Sequence, residues 1–520
     1  MAAADAGGGF DCIVIGGGHN GLVCATLLAR GGRSVALFEA NDLLGGAAAT
    51  REFAAGFRVS ACAHLLHSMP AALQRELRLQ SYGFATAATG MASTALVADG
   101  AALAIGAADL AAADAAAYAR YDARMRRLAA ALAPMLSRAP PRLGTRRWSE
   151  LAPLLELGWR VRRLGARDMR ELLRIAGMNV YDLLEENFES AALKGALALD
   201  AVLGANLGPR SPGSVLTLLH RLAGECAAGA AGLTQPLGGM GGLCDALARA
   251  ARAAGVTIRT SSPVARIEVE ADRASGVVLE GGERIAAGAV ISSADPKTTF
   301  LHLLGARHLD AGFVRRVTHF RSRGLAAKLH LALDRAPQFT GLIPGREAGR
   351  LLIAPSLQYI ERAYNHAKYG EYSQAPVMEI TVPTINDPGL APAGGHVLSA
   401  IVQYAPYSLK GGWELQRGGF ADLAIDTIAR YAPGLRRSIV ASELLSPPDL
   451  EREFRISGGH WHHGDMALDQ FWMVRPVPGA AQYRTPLDGL FLCGAGCHPG
   501  GGVVGAAGRN AARQVLQQAA

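Results

Sequence analysis

No apolar run in this 520-residue chain reaches the ~18 residues that a membrane-spanning helix needs. No dense Lys/Arg block with interleaved aromatics marks a nucleic-acid surface, so no nucleic-acid partner is expected. Lysine is scarce while alanine, glycine and arginine abound, a bias read as genome composition rather than function. Cysteine is sparse, odd in number and scattered, at Cys12, Cys24, Cys62, Cys226, Cys244, Cys493 and Cys497. Several of these fall in apolar patterns, where a thiol is a small buried hydrophobe. A disulfide framework is therefore not expected, and a reducing compartment is. An apolar strand begins near Cys12, which leaves no room for a cleavable leader, so a cytoplasmic location is the expectation, with peripheral membrane contact as an open addition. No serine at a nucleophile elbow with His and Asp partners is visible, which removes a hydrolase.

Half of the residues are hydrophobic, 18% are charged and the net charge is a mild +8, the composition of a globular protein with two or three cores. The first motif is FDCIVIGGGHNGLVCATLLARGGRSVALFE, residues 10–39. A short apolar run ends in glycine, as a buried parallel strand does, and a helical pattern and a second strand follow. Gly16, Gly18 and Gly21 form the GxGxxG of a dinucleotide fold. Gly16 makes the tight turn, Gly18 lets the backbone approach a pyrophosphate, and Gly21 lets helix and strand pack closely. Glu39 stands where an acid accepts from ribose hydroxyls. This motif alone does not separate NAD from FAD.

Further along, residues 82–232 are mostly helical in pattern and carry Arg160, Arg162, Arg163, Arg167, Arg170 and Arg174. A solvated helix face is the first reading of that cluster, and contact with an anionic membrane surface is the second. The segment PLGGMGGLCDALARAARAAGVTIRT, residues 236–260, pairs a glycine-rich turn with an amphipathic helix. No strand is expected before it, so a second dinucleotide site is not expected. From about Thr318 to Pro448 strands and loops dominate, and LAAKLHLAL (325–333) and VMEITVP (377–383) read as alternating strands.

The run LFLCGAGCHPGGGVVGAAGRNAA, residues 490–512, and the doublet Gly45-Gly46 give the pattern its closest likeness. With GPRSPGS (208–214), DPGLAP (387–392) and HGDMALDQ (463–470), the chain resembles the phytoene desaturase-like flavoproteins over nearly its whole length. Within that superfamily it is similar to two groups, the pyridine nucleotide-disulfide oxidoreductase domain-containing protein 2 group and the O-type β-carotene ketolases. Two departures stand out: Ala47 replaces an arginine that often follows the doublet, and Cys497 replaces a usual threonine or alanine. A disulfide-reductase mechanism is disfavoured, because only Cys62 lies between Gly46 and Gly90.

The resemblance implies an α/β fold: a glutathione-reductase-like, FAD-binding Rossmann domain plus a discontinuous substrate domain with a mixed sheet and helices. The expected segments are 1–81, 233–310 and 471–520 for the FAD domain, and 82–232 and 311–470 for the substrate domain. It implies FAD held by Gly16, Gly18, His19, Asn20, Gly21, Glu39, Gly45, Gly46 and Val264 at one end. At the other end stand Gly494, Pro499, Gly502 and Val504, beside a helix expected from Val503. It implies an enzyme that takes a hydride from a C–H of a small hydrophobic substrate and passes electrons to oxygen or a quinone. The alternatives are a flavin amine oxidase-like enzyme and a flavoprotein that acts through protein partners.

Lys328, His67 and His498 are the candidate catalytic residues. Lys328 matches the position of a lysine that flavin amine oxidases place near the flavin, and an inward ammonium there needs a partner. His67, with His64, follows the glycine doublet, and His498 lies in the C-terminal turn. Cys493 with Cys497 lacks the repeated spacing of a zinc site, whereas His460, His462 and His463 with Asp465 read first as loop structure, second as part of a substrate pocket and third as a metal site.

Overall fold

The computed structural model describes residues 9–98, 100–106, 110–142, 144, 148–229 and 232–518. Residues 1–8, on which the expectation about a leader partly rests, lie outside them.

Strand β1 (Phe10–Ile15) is followed by helix α1 (His19–Arg30) and strand β2 (Val35–Phe38). Cys12 to Ile15 and all of β2 are buried, as strands covered on both faces must be. β1 pairs in parallel with β2 and with Arg284–Ser292, and the latter pairs in parallel with Leu490–Leu492. Seven strands complete this sheet, with Thr257–Arg259 beyond β2 and an antiparallel extension through Arg273–Leu279 to Val264–Glu270. Chain segments far apart in sequence thus build one sheet. α1 packs between Met240–Ala253 and the C-terminal helix Ala506–Gln518. The second of these crossings is close because Gly508 has no side chain; a Cβ there would lie 2.1 Å from the Asn20 carbonyl oxygen.

The second sheet also has seven strands, in the order Ile439–Leu445, Ala326–Leu333, His396–Gln403, Val377–Thr381, Arg350–Ile353, Ser93–Ala95 and Leu103–Ala104. Its pairings are antiparallel except for Arg350–Ile353 with Ser93–Ala95. The architecture is therefore the α/β Rossmann domain with a mixed-sheet and helical substrate domain that the resemblance implied.

Three local expectations need correction. The strands Ala326–Leu333 and Val377–Thr381 do not alternate between core and solvent, for every residue in both is buried. Leu329, Leu331, Met378 and Ile380 enter a core with Phe420 and Trp413 of the helix Trp413–Ala429. Their neighbours Lys328, His330, Glu379 and Thr381 are buried polar residues on the other face. A two-residue strand, Gln235–Pro236, does precede the second glycine-rich turn, but it pairs antiparallel with Thr86–Ala88 outside the main sheet. The helix after it is closed to phosphate, because Ser60 Oγ accepts from Met240 N at 2.9 Å and Thr50 Oγ1 from Gly241 N at 2.8 Å. The C-terminal helix starts at Ala506 rather than Val503, so Gly502 to Val504 form the turn ahead of it.

Candidate functional site

The first turn of α1 carries no acidic side chain, and its cap residue Gly18 offers no side-chain partner, so the N-terminal N–H groups and their partial positive charge are left for an anion. Gly21 sits where a Cβ would lie 2.0 Å from the Gly16 carbonyl oxygen, which brings helix and turn into contact. Glu39 Oε2 accepts from Gly17 N at 2.6 Å and Oε1 accepts from Asn41 N at 2.9 Å. These two bonds fix the carboxylate and leave it lone pairs for ribose hydroxyls. Gly45 and Gly46 have φ of +116° and +55°, and Gly18 and Gly45 form a parallel bridge. One cavity is lined by Gly16, Gly18, His19, Asn20, Glu39, Gly45, Gly46 and Val264. A helix N-terminus, a side-chain-free doublet and a pinned acid in one wall fit the dinucleotide half of FAD. Gly21 acts behind the wall, through packing.

A second cavity shares His19, Ala47 and Trp461 with the first. Gly502, Val504 and His67 line it, together with Leu65, Leu136, Leu203, Ile401 and Met466. Gly494 and Pro499 line neither cavity. A Cβ on Gly494 would meet the Ser293 carbonyl oxygen at 2.4 Å, so that glycine serves the crossing of two loops. His498 is also absent from the walls. Its Nε2 donates to the Met135 carbonyl at 2.8 Å, its own carbonyl accepts from the Tyr483 hydroxyl at 2.7 Å, and burial pushes its pKa down to about 4. It forms a neutral clasp between the C-terminal turn and the helix Ala112–Leu136, set back from both cavities.

Lys328 is likewise one residue removed from the cavity. Its Nζ lies 2.7 Å from His64 Nδ1, and His64 Nε2 lies 2.8 Å from Glu379 Oε1. Burial lowers His64 to about 4, so the ring is neutral. Nε2–H then donates to the carboxylate and Nδ1 accepts from the lysine, which fixes the tautomer. Glu379 is paired with Arg350 Nε, and Arg350 Nη2 reaches Asp200 Oδ1 at 2.6 Å. Asp200 lies 3.4 Å from Arg221 Nε, and Arg221 lies 3.4 Å from Glu225. Of this chain of contacts, His64, Glu379, Asp200 and Arg221 face the cavity. Burial alone would raise the Glu379 carboxyl, but Arg350 and His64 hold it well below the usual range. Burial lowers Lys328 to about 7.

The loop with His460, His462 and His463 is held by Arg475, which is fully buried. Its guanidinium donates to the carbonyls of His462, Gly464, Asp465, Gln470 and Ala495. His463 thereby faces the dinucleotide cavity and His462 the second one. Among the described residues no group of three His, Cys, Asp or Glu side chains is placed to hold a metal. The thiols of Cys493 and Cys497 are buried and free, and burial pushes Cys497 upward.

Asp200, Arg221, Arg350, Glu379 and Trp461 are missing from the sequence-based candidates. A signal for two of them existed: single charges in otherwise apolar runs, VMEIT at 377–381 and RLLI at 350–353.

The profile of the flavin containing amine oxidoreductase family matches residues 21–516. The chain is 39% identical to mouse pyridine nucleotide-disulfide oxidoreductase domain-containing protein 2, over 98% of this chain and 93% of that one. It is 25% identical to a protein of the limonene dehydrogenase of Castellaniella defragrans, over 98% and 94%. A solved oxidoreductase from Methanosarcina mazei superposes with a TM-score of 0.61 at 18% identity, covering 97% of this chain and 99% of that one.

Proposed function

The chain belongs to the flavin containing amine oxidoreductase family and is an FAD-dependent oxidoreductase; we propose that it removes a hydride from an aliphatic or allylic C–H of a largely apolar substrate, leaving a new double bond. The observation that carries this reading is that the two cavities adjoin, sharing His19, Ala47 and Trp461 in their walls. A slot fitted to the dinucleotide lies beside a chamber whose walls include Leu65, Leu136, Leu203, Ile401 and Met466. Bound FAD supplies the hydride acceptor. The apolar walls orient the substrate and exclude water, and position is the larger part of what the protein contributes. The relative named for limonene supports a hydrocarbon-like substrate.

The polar wall is poorly suited to strong base catalysis. Asp200 and Glu379 are both engaged by Arg350, and burial makes the His64 and His67 rings neutral and weakly basic. An amine oxidase-like reading would want Lys328 at the cavity surface, whereas it stands behind His64.

The test is anaerobic addition of lipophilic polyenes, cyclic terpenes and amines to flavin-loaded protein, followed by flavin absorbance. Bleaching by a hydrocarbon or polyene is the expected result. Bleaching by amines alone overturns the substrate class.

Lys328 also carries a stability prediction. Its folded pKa of about 7 lies below its ordinary 10.5, so between those values the unfolded chain binds more protons than the folded one. Stability should therefore rise with pH across that window. Lys328→Met removes the titration, and urea midpoints measured at intervals from neutral to alkaline pH should lose that rise. A rise of unchanged size in the variant would refute the assignment.

A further inference from the structure

The helix Trp148–Arg163 presents an apolar stripe to solvent. Trp148 is 77% exposed, Leu155 61% and Trp159 57%. At about 100° per residue, their spacings put all three within roughly 40° of one another on the helix surface. Ala152 falls on the same stripe and is also exposed. Arg162 and Arg163 project to either side of it, and the Arg163 guanidinium lies 4.5 Å from the centre of the Trp159 ring. The next helix, Gly165–Ile175, continues the pattern with exposed Arg167, Arg170 and Leu173.

The arginine cluster divides in two. Arg160 pairs with Glu156, and Arg174 with Glu171 and Glu186, so these two fit a salt-bridged surface. Arg162, Arg163, Arg167 and Arg170 are all exposed and form no salt bridge among the described residues, although Arg167 is one of the charges that lower the Glu171 carboxyl. Exposed cations without a salt bridge, set beside exposed tryptophans, match a surface that is negative at its face and apolar just beneath. A second copy of the chain meets this poorly, since a two-fold contact through the stripe would bring arginines of both copies together. A bilayer with anionic headgroups supplies both layers, and tryptophan favours their boundary.

We propose that this face seats the enzyme on an anionic lipid bilayer, with Trp148, Leu155 and Trp159 at the interfacial layer and Arg162, Arg163, Arg167 and Arg170 at the headgroup phosphates. The inference goes beyond the reaction proposed above and does not depend on it. The placement suits a lipophilic substrate, because the helix Ala112–Leu136 packs against Trp148–Arg163 and its last residue, Leu136, lines the second cavity.

The test is co-sedimentation of the full-length, flavin-loaded protein with vesicles of phosphatidylcholine alone and of equal parts phosphatidylcholine and phosphatidylglycerol. The protein is expected to pellet with the mixed vesicles, to bind the neutral ones more weakly, and to be released by added salt. The pairs Arg162→Gln with Arg163→Gln, and Trp148→Ser with Trp159→Ser, are each expected to cut partitioning by about tenfold or more. Flavin absorbance and Tm should stay at wild-type values, which separates lost docking from lost folding. The proposal fails if the wild type stays in the supernatant with both vesicles, or if both double variants bind as well as the wild type. It fails equally if sedimentation velocity shows a wild-type dimer that the tryptophan variant converts to monomer.

Discussion

Replacing Arg350 with methionine is expected to lower the unfolding free energy by about 3–5 kcal/mol, the usual consequence of leaving buried carboxylates without their cation. Arg350 is 1% exposed and lies between Glu379 and Asp200, themselves mostly buried. Without it the Glu379 carboxylate keeps only a neutral imidazole as donor, and Asp200 keeps only the looser contact to Arg221. The sign of the pH dependence follows from the depressed Glu379 pKa. In the wild type the pairing contributes fully above the ordinary carboxylate range and fades as pH falls toward the depressed value. The variant should therefore be most impaired near neutrality and approach the wild type in acid. Urea denaturation at neutral and acidic pH measures this directly. Adding Glu379→Gln to Arg350→Met should restore part of the loss, because it removes a charge that Arg350 no longer neutralises. A loss below about 1 kcal/mol, the value of an exposed pair, would mean that the cluster is solvated.

The second large effect falls on the cofactor. Gly21→Ala places a methyl group 2.0 Å from the Gly16 carbonyl oxygen and 3.3 Å from Ser293 Cβ. Backbone cannot yield as a flexible side chain does, so α1 must shift away from the turn whose N–H groups face the phosphates. Overpacking of this kind costs about 1–3 kcal/mol. If most of that falls on the bound state, FAD affinity drops roughly tenfold or more. The purified variant should be pale or colourless and regain yellow absorbance only at high added FAD. Gly281→Ala is the matched control, because a Cβ there meets nothing within 4 Å, and its flavin content should equal that of the wild type. Full flavin retention by the Gly21 variant would place the phosphates elsewhere.

These two residues also mark where the sequence was readable and where it was not. Gly21 belongs to a local motif: strand, turn, helix and acid are contiguous, and each residue's duty follows from its neighbours. The same holds for Gly45 and Gly46, which meet Gly18 after a short excursion of the chain. Arg350 has no such context. Its partners are 29 and 150 positions away, and only the pairing of the strands Arg350–Ile353 and Val377–Thr381 brings the first within reach. Lys328 was legible as an inward charge in need of a partner, but His64 lies 264 positions away and could not be chosen from spacing. His498 shows the reverse case. Its place in a glycine-rich turn suggested chemistry, whereas a carbonyl on a distant helix makes it a clasp. The central strands do alternate, but the second phase of the alternation faces a buried polar cluster instead of water.

That second phase has a consequence for how the substrate domain chooses its strand pairing. In most sheets a slip of one residue exchanges core for solvent, and hydrophobicity alone resists it. Here a slip of Ala326–Leu333 against His396–Gln403 would carry Lys328 toward the face of Phe420 and Trp413, and deliver Leu329 to His64 and Glu379. Both errors are expensive, one as an unpaired ammonium in an apolar layer and the other as a buried imidazole nitrogen without its donor. The ionic cluster therefore works as a key that admits a single register, and the same charges that shape the chamber help the second sheet find its alignment.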